Sequence, residues 1–347
     1  MISVKKEGII LSKTDLEFEN EGVLNPGIFQ EGNTVHMFYR AVRKGNYSTI
    51  GYAKLDGPLN VVERHTEPLL TPSTDDEVHG IEDPRIVKID NVYHLTYCAY
   101  DGVNALGSLA TSTDLVQFEK QGVLVPRVTY KEFKRIAECN EHLNDKYERF
   151  HIHNNIESNP NRKILLWDKN LILFPRTIEG KLTFLHRIRP DIQIVSVSRI
   201  SDLTKEFWED YFMHFNQHIL MCSIHDHEIG YIGGGCPPIE TAAGWLLIYH
   251  GVHDTAKGYV YSACAALLDL NDPKKEIARL PYALFKPDLS WELLGYVDNV
   301  VFPTGTSLFD GTLYIYYGAA DKRIAVASVN LEELIAELLT YSGNAHA

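Results

Sequence analysis

The sequence predicts an all-β fold, a five-bladed β-propeller with one inserted, partly helical segment and a short C-terminal helix. Three observations predict it. A strand-turn-strand unit occurs five times, every copy carries a hairpin signal at its turn, and marker prolines return at broadly regular spacing. One domain is expected across residues 1–347, with the insertion at about 127–168 and the helix at about 330–340.

The units are NPGIFQEGNTVHMFYRA from Asn25, EDPRIVKIDNVYHLTYCAY from Glu82, KNLILFPRTIEGKLTFLHR from Lys169, CPPIETAAGWLLIYHG from Cys236 and NVVFPTGTSLFDGTLYIYYGAAD from Asn299. Their turns are Glu31-Gly32-Asn33, Asp90-Asn91, Glu179-Gly180, Ala243-Gly244 and Asp310-Gly311, where Gly and Asn suit positive φ. Pro26, Pro84, Pro175, Pro238 and Pro303 lie 58, 91, 63 and 65 residues apart. Small sheets repeated radially bury their faces on one another and leave only short edges, which favours a propeller over the competing β-sandwich with decorated loops. The excess length in the 91-residue interval marks the insertion, in which YKEFKRIAECNEHL has helical composition; LEELIAELL near the end reads as an amphipathic packing helix. Neither segment offers chemistry of its own.

Composition narrows the function. With 33 Lys plus Arg against 46 Asp plus Glu, the net charge of −13 opposes a nucleic-acid partner, and a bound anion needs a local basic pocket. Five widely spaced cysteines without a C-x-x-C pair read as reduced thiols, the N-terminus lacks a signal-peptide core, and no run of about 20 apolar residues could span a bilayer; a cytoplasmic, non-membrane protein is expected.

Equivalent hairpin ends should ring one mouth of the fold. They supply Arg40, Tyr100-Asp101, His186-Arg187, His250 and Ala320-Asp321, and the strand starts supply Asn25, Glu82-Asp83, Lys169-Asn170 and Asn299. Side-chain alternation sends Glu82 to the side opposite Asp83, so Glu82 reads as structural, although an irregular backbone at the mouth could bring it into the site. Asp83 before Pro84 also has the plain reading of a turn former, and Lys169, Arg187 and His250 that of satisfied core residues. Glu240 is the candidate base for a hydrolase, although its polar turn suggests exposure. His151/His153 and His225/His227 have alternate spacing but no third ligand at a recognisable distance, so no metal is expected. Gly233-Gly234-Gly235 precedes a Cys-Pro-Pro strand start rather than a helix and does not indicate a nucleotide site.

The motifs GIEDPRIVKI, LATSTDL, KNLILFP with GKLTFLHR, GWLLIYHGV, AALLDLNDP and NVVFPTG with YIYYGAAD run in order from about Asn25 to Asp321. As a set they resemble glycoside hydrolase family 130, the mannoside phosphorylases and related mannosidases. The resemblance implies a five-bladed propeller with Asp83 as the catalytic acid. Its proton would reach the glycosidic oxygen through a hydroxyl of the bound mannose while phosphate attacks the anomeric carbon with inversion.

By motif match, Lys169, Asn170, Arg187 and His250 fall at phosphate-binding positions, three of them able to be cationic, and Asn25, Arg40 and Asp321 at mannose-binding ones. Lys169 stands where Arg is expected in many relatives, and lacks the bidentate fork. The implied partners are a β-mannoside oligosaccharide and inorganic phosphate as co-substrate, with no other cofactor. A hydrolase of the same fold and a non-catalytic glycan-binding propeller remain open, as do linkage and acceptor sugar; the subsite that chooses the acceptor is expected from the inserted segment and other variable loops. Such phosphorylases often self-associate, but no interface is legible in the chain.

Overall fold

The computed structural model describes residues 2–155, 163–256 and 258–343, without the side chains of 152–155. The five expected hairpins form, pairing Gly22–Glu31 with Thr34–Arg43, Gly80–Ile89 with Val92–Tyr100, Lys169–Leu173 with Leu182–Arg187, Ile239–Thr241 with Gly244–Thr255, and Val301–Phe309 with Thr312–Ala319.

The architecture built from them differs from the all-β five-bladed propeller expected. The strands form four sheets, of eight, four, five and four strands, none of them closed into a barrel or propeller. Helices add a mixed α/β character. The first two units are fused because Tyr47–Asp56 pairs in parallel with Gly80–Ile89 at Ser48 and Gly80. Gly80 has φ +147, and a Cβ there would lie 2.8 Å from the Ser48 amide nitrogen. The missing side chain lets the two units share one hydrogen-bonded sheet.

The last sheet joins the chain's extremes. Lys5–Leu11 runs antiparallel to Arg323–Asn330, with Lys5 opposite Ser328 and Leu11 opposite Ile324. Helix Leu331–Leu339 then buries Leu334 and Leu338.

The expected insertion contains two helices, Tyr130–Ala137 and Asp145–Asn155; its residues 156–162 lie outside those described. The first starts at a capping box, with Thr129 Oγ1 accepting from the Glu132 amide and Glu132 from that of Thr129. It buries Tyr130, Phe133, Ile136 and Ala137 as one face. That face meets Trp208, Tyr211 and Phe212 of helix Lys205–Met213, which the sequence reading did not anticipate. Phe133 contacts Phe212 and Phe215 edge-on, at centroid separations of 5.0 and 4.9 Å. The insertion is thus welded to the body by an aromatic core.

Candidate active site

Four of the hairpins carry a bulge on the first strand, and in three of them it takes the same form. Pairing passes from Leu24/Arg40 to Gly27/Phe38, from Glu82/Cys98 to Arg85/Thr96, and from Lys169/Arg187 to Ile172/Leu185. Each step leaves one extra residue on the first strand, a β-bulge. Its first residue is left-handed every time: Asn25 at φ 49, Asp83 at φ 51 and Asn170 at φ 53. Asn and Asp tolerate this region better than other side-chain-bearing residues. All three side chains reach one cavity of about 190 Å³, also lined by Arg40, Lys169, Arg187, Arg189, Tyr231, Tyr261, Val297, Val300, Phe302 and Asp321.

The bulge is the irregular backbone that brings Glu82 into the site. Strict alternation would turn it away from Asp83, whereas it lies 5% exposed between two cations of the site. Its Oε1 accepts from Arg40 Nη2 at 2.7 Å, and its Oε2 is 3.7 Å from Lys169 Nζ. Arg40 also donates Nε to Ser48 Oγ at 2.9 Å and comes within 3.7 Å of Asp83 Oδ1.

Asp83 Oδ1 accepts from Asn25 Nδ2 at 2.7 Å. Its carbonyl accepts from Nη1 of the fully buried Arg85, whose Nε reaches the Gly235 carbonyl, both at 2.7 Å. Arg85 therefore ties the strained bulge to the opposite sheet. Burial pushes the Asp83 carboxyl up, but Arg40, Lys169, Arg85 and the Asn25 hydrogen bond hold it below its ordinary value. Asp321, at φ 47 beside Ala320 at φ 48, behaves oppositely. Burial raises its carboxyl to about 6, reinforced by Asp83 and Glu82 and opposed by Arg40.

The basic residues of the site call for one correction. His250 is fully buried, and burial together with Arg187, Arg85 and Arg189 pushes it far below its ordinary range. It is neutral, so Nε2 accepts from Arg187 Nη1 at 3.1 Å and the proton resides on Nδ1, which has no partner. The expectation of a cationic His250 fails; its place is to hold Arg187. No carboxylate ion-pairs Arg187 among the described residues, and its Nε is buried without a partner. Burial and then Arg189 lower its guanidinium to about 10. Lys169 stays charged: burial opposes its proton, and Cys98, Glu82 and Asp83 outweigh burial. Asn170 donates Nδ2 to the Gly234 carbonyl at 3.1 Å.

An outer cavity of about 480 Å³ shares Arg40, Lys169, Val297 and Asp321 with the inner one and adds Glu82, Tyr100, Trp167 and Tyr296. Trp167 comes from the insertion, which therefore does contribute to the site. Sequence reasoning missed Arg189, Tyr231 and Tyr261 as well; the neighbouring Arg in HRIRP was the available signal. Several ring candidates serve the fold instead. Asp101 caps the turn at Val103 and Asn104, while Asn299 contributes backbone bonds. His186 turns inward between Asp168 and Tyr211.

Glu240 forms a bidentate pair with Arg176, both bonds at 2.8 Å, and lines a different cavity. His151 stacks on Tyr130, and the His153 side chain lies outside those described. His227 has Glu228 and Cys264 beside it, a grouping its spacing did not reveal. Arg279 already occupies Glu228 at 3.2 Å, and its charge opposes a metal cation there.

Comparison with known proteins gives the chain its family. The chain is 33% identical over 349 residues to the 1,2-beta-oligomannan phosphorylase of Thermoanaerobacter sp. strain X514, covering 96% of this chain and 99% of that one. A solved structure of beta-1,2-mannobiose phosphorylase from Listeria innocua, in complex with beta-1,2-mannobiose, shares the fold: its TM-score is 0.71 at 22% identity, over 98% of this chain and 100% of that one. A second, from work on family members that are hydrolases targeting beta-1,2 mannosidic linkages in Candida mannan, has a TM-score of 0.73 at 20% identity, covering 95% and 94%. The family profile described as beta-1,4-mannooligosaccharide phosphorylase matches residues 12–339, and the chain belongs to glycoside hydrolase family 130.

Proposed function

We propose that the protein is an inverting β-mannoside phosphorylase that converts a β-mannoside and phosphate to α-mannose 1-phosphate and the shortened sugar. The observation that carries this reading is the mixed acidic and basic lining of the inner cavity. Carboxyl groups of Asp83 and Asp321 lie toward Arg40, and the basic groups Lys169, Arg187 and Arg189 share the same space. An inverting hydrolase needs a carboxylate there to activate water; a phosphorolytic enzyme needs cations to hold a nucleophile that is already competent.

In this reading mannose occupies the inner cavity against Asn25, Arg40 and Asp321, and phosphate lies against Lys169, Asn170 and Arg187, with His250 acting through Arg187. The Asp83 proton passes to a mannose hydroxyl, whose own proton passes to the glycosidic oxygen. As the anomeric C–O bond breaks, a phosphate oxygen bonds to that carbon from the opposite face, and Asp83 is left as a carboxylate. A bound phosphate dianion offsets the cations that hold Asp83 ionised, so the acid takes up its proton when both substrates are present. The outer cavity, with Tyr100, Trp167 and Tyr296, suits the leaving sugar. The full-length relative favours a β-1,2 linkage.

A cytoplasmic location completes the reading. All five cysteines are free thiols, and among the described residues no helix is long and apolar enough to cross a membrane. Self-association is part of the same proposal and is checked by sedimentation of the purified chain. The deciding experiment incubates the protein with β-1,2-mannobiose with and without phosphate. Phosphate-dependent α-mannose 1-phosphate is expected; phosphate-independent release of mannose would overturn the proposal in favour of a hydrolase.

A further inference from the structure

Behind the site one buried arrangement recurs. On the second strand of four hairpins a tyrosine, Tyr39, Tyr97, Tyr249 or Tyr317, donates its hydroxyl to a buried glutamate, respectively Glu19, Glu77, Glu228 or Glu292. The glutamate stands 20, 20, 21 and 25 residues earlier, on a short helical turn ahead of the hairpin. Its other oxygen takes a cation, Arg64, Lys120, Arg279 or Lys6, at 2.8, 2.6, 3.2 and 2.6 Å. The residue after the tyrosine is Arg40 in the first hairpin, His250 in the fourth and Gly318, which backs Asn25, in the fifth.

The third hairpin departs from this pattern. His186 takes the place of the tyrosine, directly before Arg187, and the acid is Asp168, directly before Lys169. His186 Nδ1 lies 2.8 and 2.9 Å from the two Asp168 oxygens, and Nε2 lies 2.8 Å from the Tyr211 hydroxyl. Asp168 is fully buried, and among the described residues no Lys or Arg pairs with it. Its amide donates to the Ala105 carbonyl at 3.2 Å, and its carbonyl accepts from the Gly107 amide at 2.8 Å. Lys169 and Arg187 face each other across the ladder. One side-chain contact therefore joins the two strands beside both cations and fastens them to strand Ala105–Ser112. Successive side chains on a strand point to opposite faces, so a ring held at its tip sets the direction of the side chain that follows.

We propose that these buried contacts are positioning devices with divided tasks: His186–Asp168 sets the Lys169–Arg187 pair and with it phosphate affinity, while Tyr39–Glu19 sets Arg40 and with it mannoside affinity. None of the four touches substrate. The phosphate half rests on the phosphorolytic reading above.

The test measures KM for inorganic phosphate and KM for β-1,2-mannobiose separately in the parent protein, H186Q, H186N and Y39F, together with melting temperature. In H186N the amide nitrogen stands in for Nδ1 and keeps the Asp168 contact; in H186Q it stands in for Nε2 and loses that contact. H186Q should raise the phosphate KM about fivefold or more with the mannobiose KM within about twofold, and H186N should recover most of that loss. Y39F should do the reverse, raising the mannobiose KM about fivefold and leaving the phosphate KM within about twofold. All three should melt lower than the parent. If H186Q is not recovered folded, the Y39F split decides. A parent indifferent to phosphate would bring down the phosphorolytic reading and the phosphate half with it, while the mannobiose KM of Y39F still judges the mannoside half. In a phosphate-dependent parent, equal phosphate KM values for H186Q and H186N, or a Y39F that changes both KM values alike or neither, would overturn this inference alone.

Discussion

Asn25 and Asp83 occupy equivalent bulges of neighbouring hairpins, both left-handed, and the Asn25 amide donates to the Asp83 carboxylate at 2.7 Å. The backing of this pair is tight, since a Cβ on Gly318 would fall 1.9 Å from Asn25 Oδ1. Gly318→Ala should therefore displace Asn25, lowering kcat/KM for the mannoside about tenfold or more with the melting temperature little changed. Steady-state kinetics beside a melting curve checks this; unaltered kcat/KM would show that the Asn25 position does not matter.

If Asp83 is the acid, Asp83→Asn should reduce kcat by at least about a thousandfold while mannobiose binding stays measurable by calorimetry. Turnover within about tenfold of the parent would remove Asp83 from the chemistry.

Asp321 predicts a pH effect on stability. Its folded value of about 6 exceeds the ordinary 3.8, so between those limits the folded protein binds the extra proton. Stability then falls as pH rises from about 4 to about 6 and stays reduced above. Asp321→Asn should gain on the order of 1–2 kcal/mol over the parent at pH 8, after a discount for solvent reaching the cavity, and nothing at pH 4. Denaturant titrations at both pH values give the comparison, and an equal gain at each would contradict the assignment.

Glu82 is shared by Arg40 and Lys169. Glu82→Gln leaves the half-buried Arg40 and Lys169 without their common carboxylate, and kcat/KM should fall about ten- to a hundredfold. Glu82→Asp should recover part of it. A kcat/KM for Glu82→Gln equal to the parent's would return Glu82 to a structural role.

Phe133 tests the weld of the insertion. Phe133→Ala should destabilise by about 3–5 kcal/mol, seen as a lower urea midpoint. A change below about 1 kcal/mol would mean that the aromatic core under the insertion contributes little.

Much of the site was legible because its residues sit at repeat boundaries: Asn25, Asp83, Lys169, Asn170, Arg187 and Asp321 all line the inner cavity. The role of Glu82 was hidden because alternation assumes regular pleating, and one extra residue resets which face follows. Fusion of the first two units was hidden for a related reason, since a parallel contact through Gly80 leaves no mark in the hydrophobic pattern. The neutrality of His250 depends on its burial and then on cations brought in from other units. Arg189 escaped notice because its aromatic neighbours Phe150, Trp167 and Tyr231 are distant in sequence.

The pairing of Lys5–Leu11 with Arg323–Asn330 bears on how the protein is made. On a ribosome, the early strand must wait for more than three hundred residues of translation, on the order of tens of seconds at typical synthesis rates. Until then the nascent chain carries an unmatched β-segment, and the sheet awaiting it cannot be finished before Arg323–Asn330 has emerged. Attaching a bulky fusion directly ahead of Lys5 should therefore lower the yield of active enzyme more than the same fusion placed beyond the final helix.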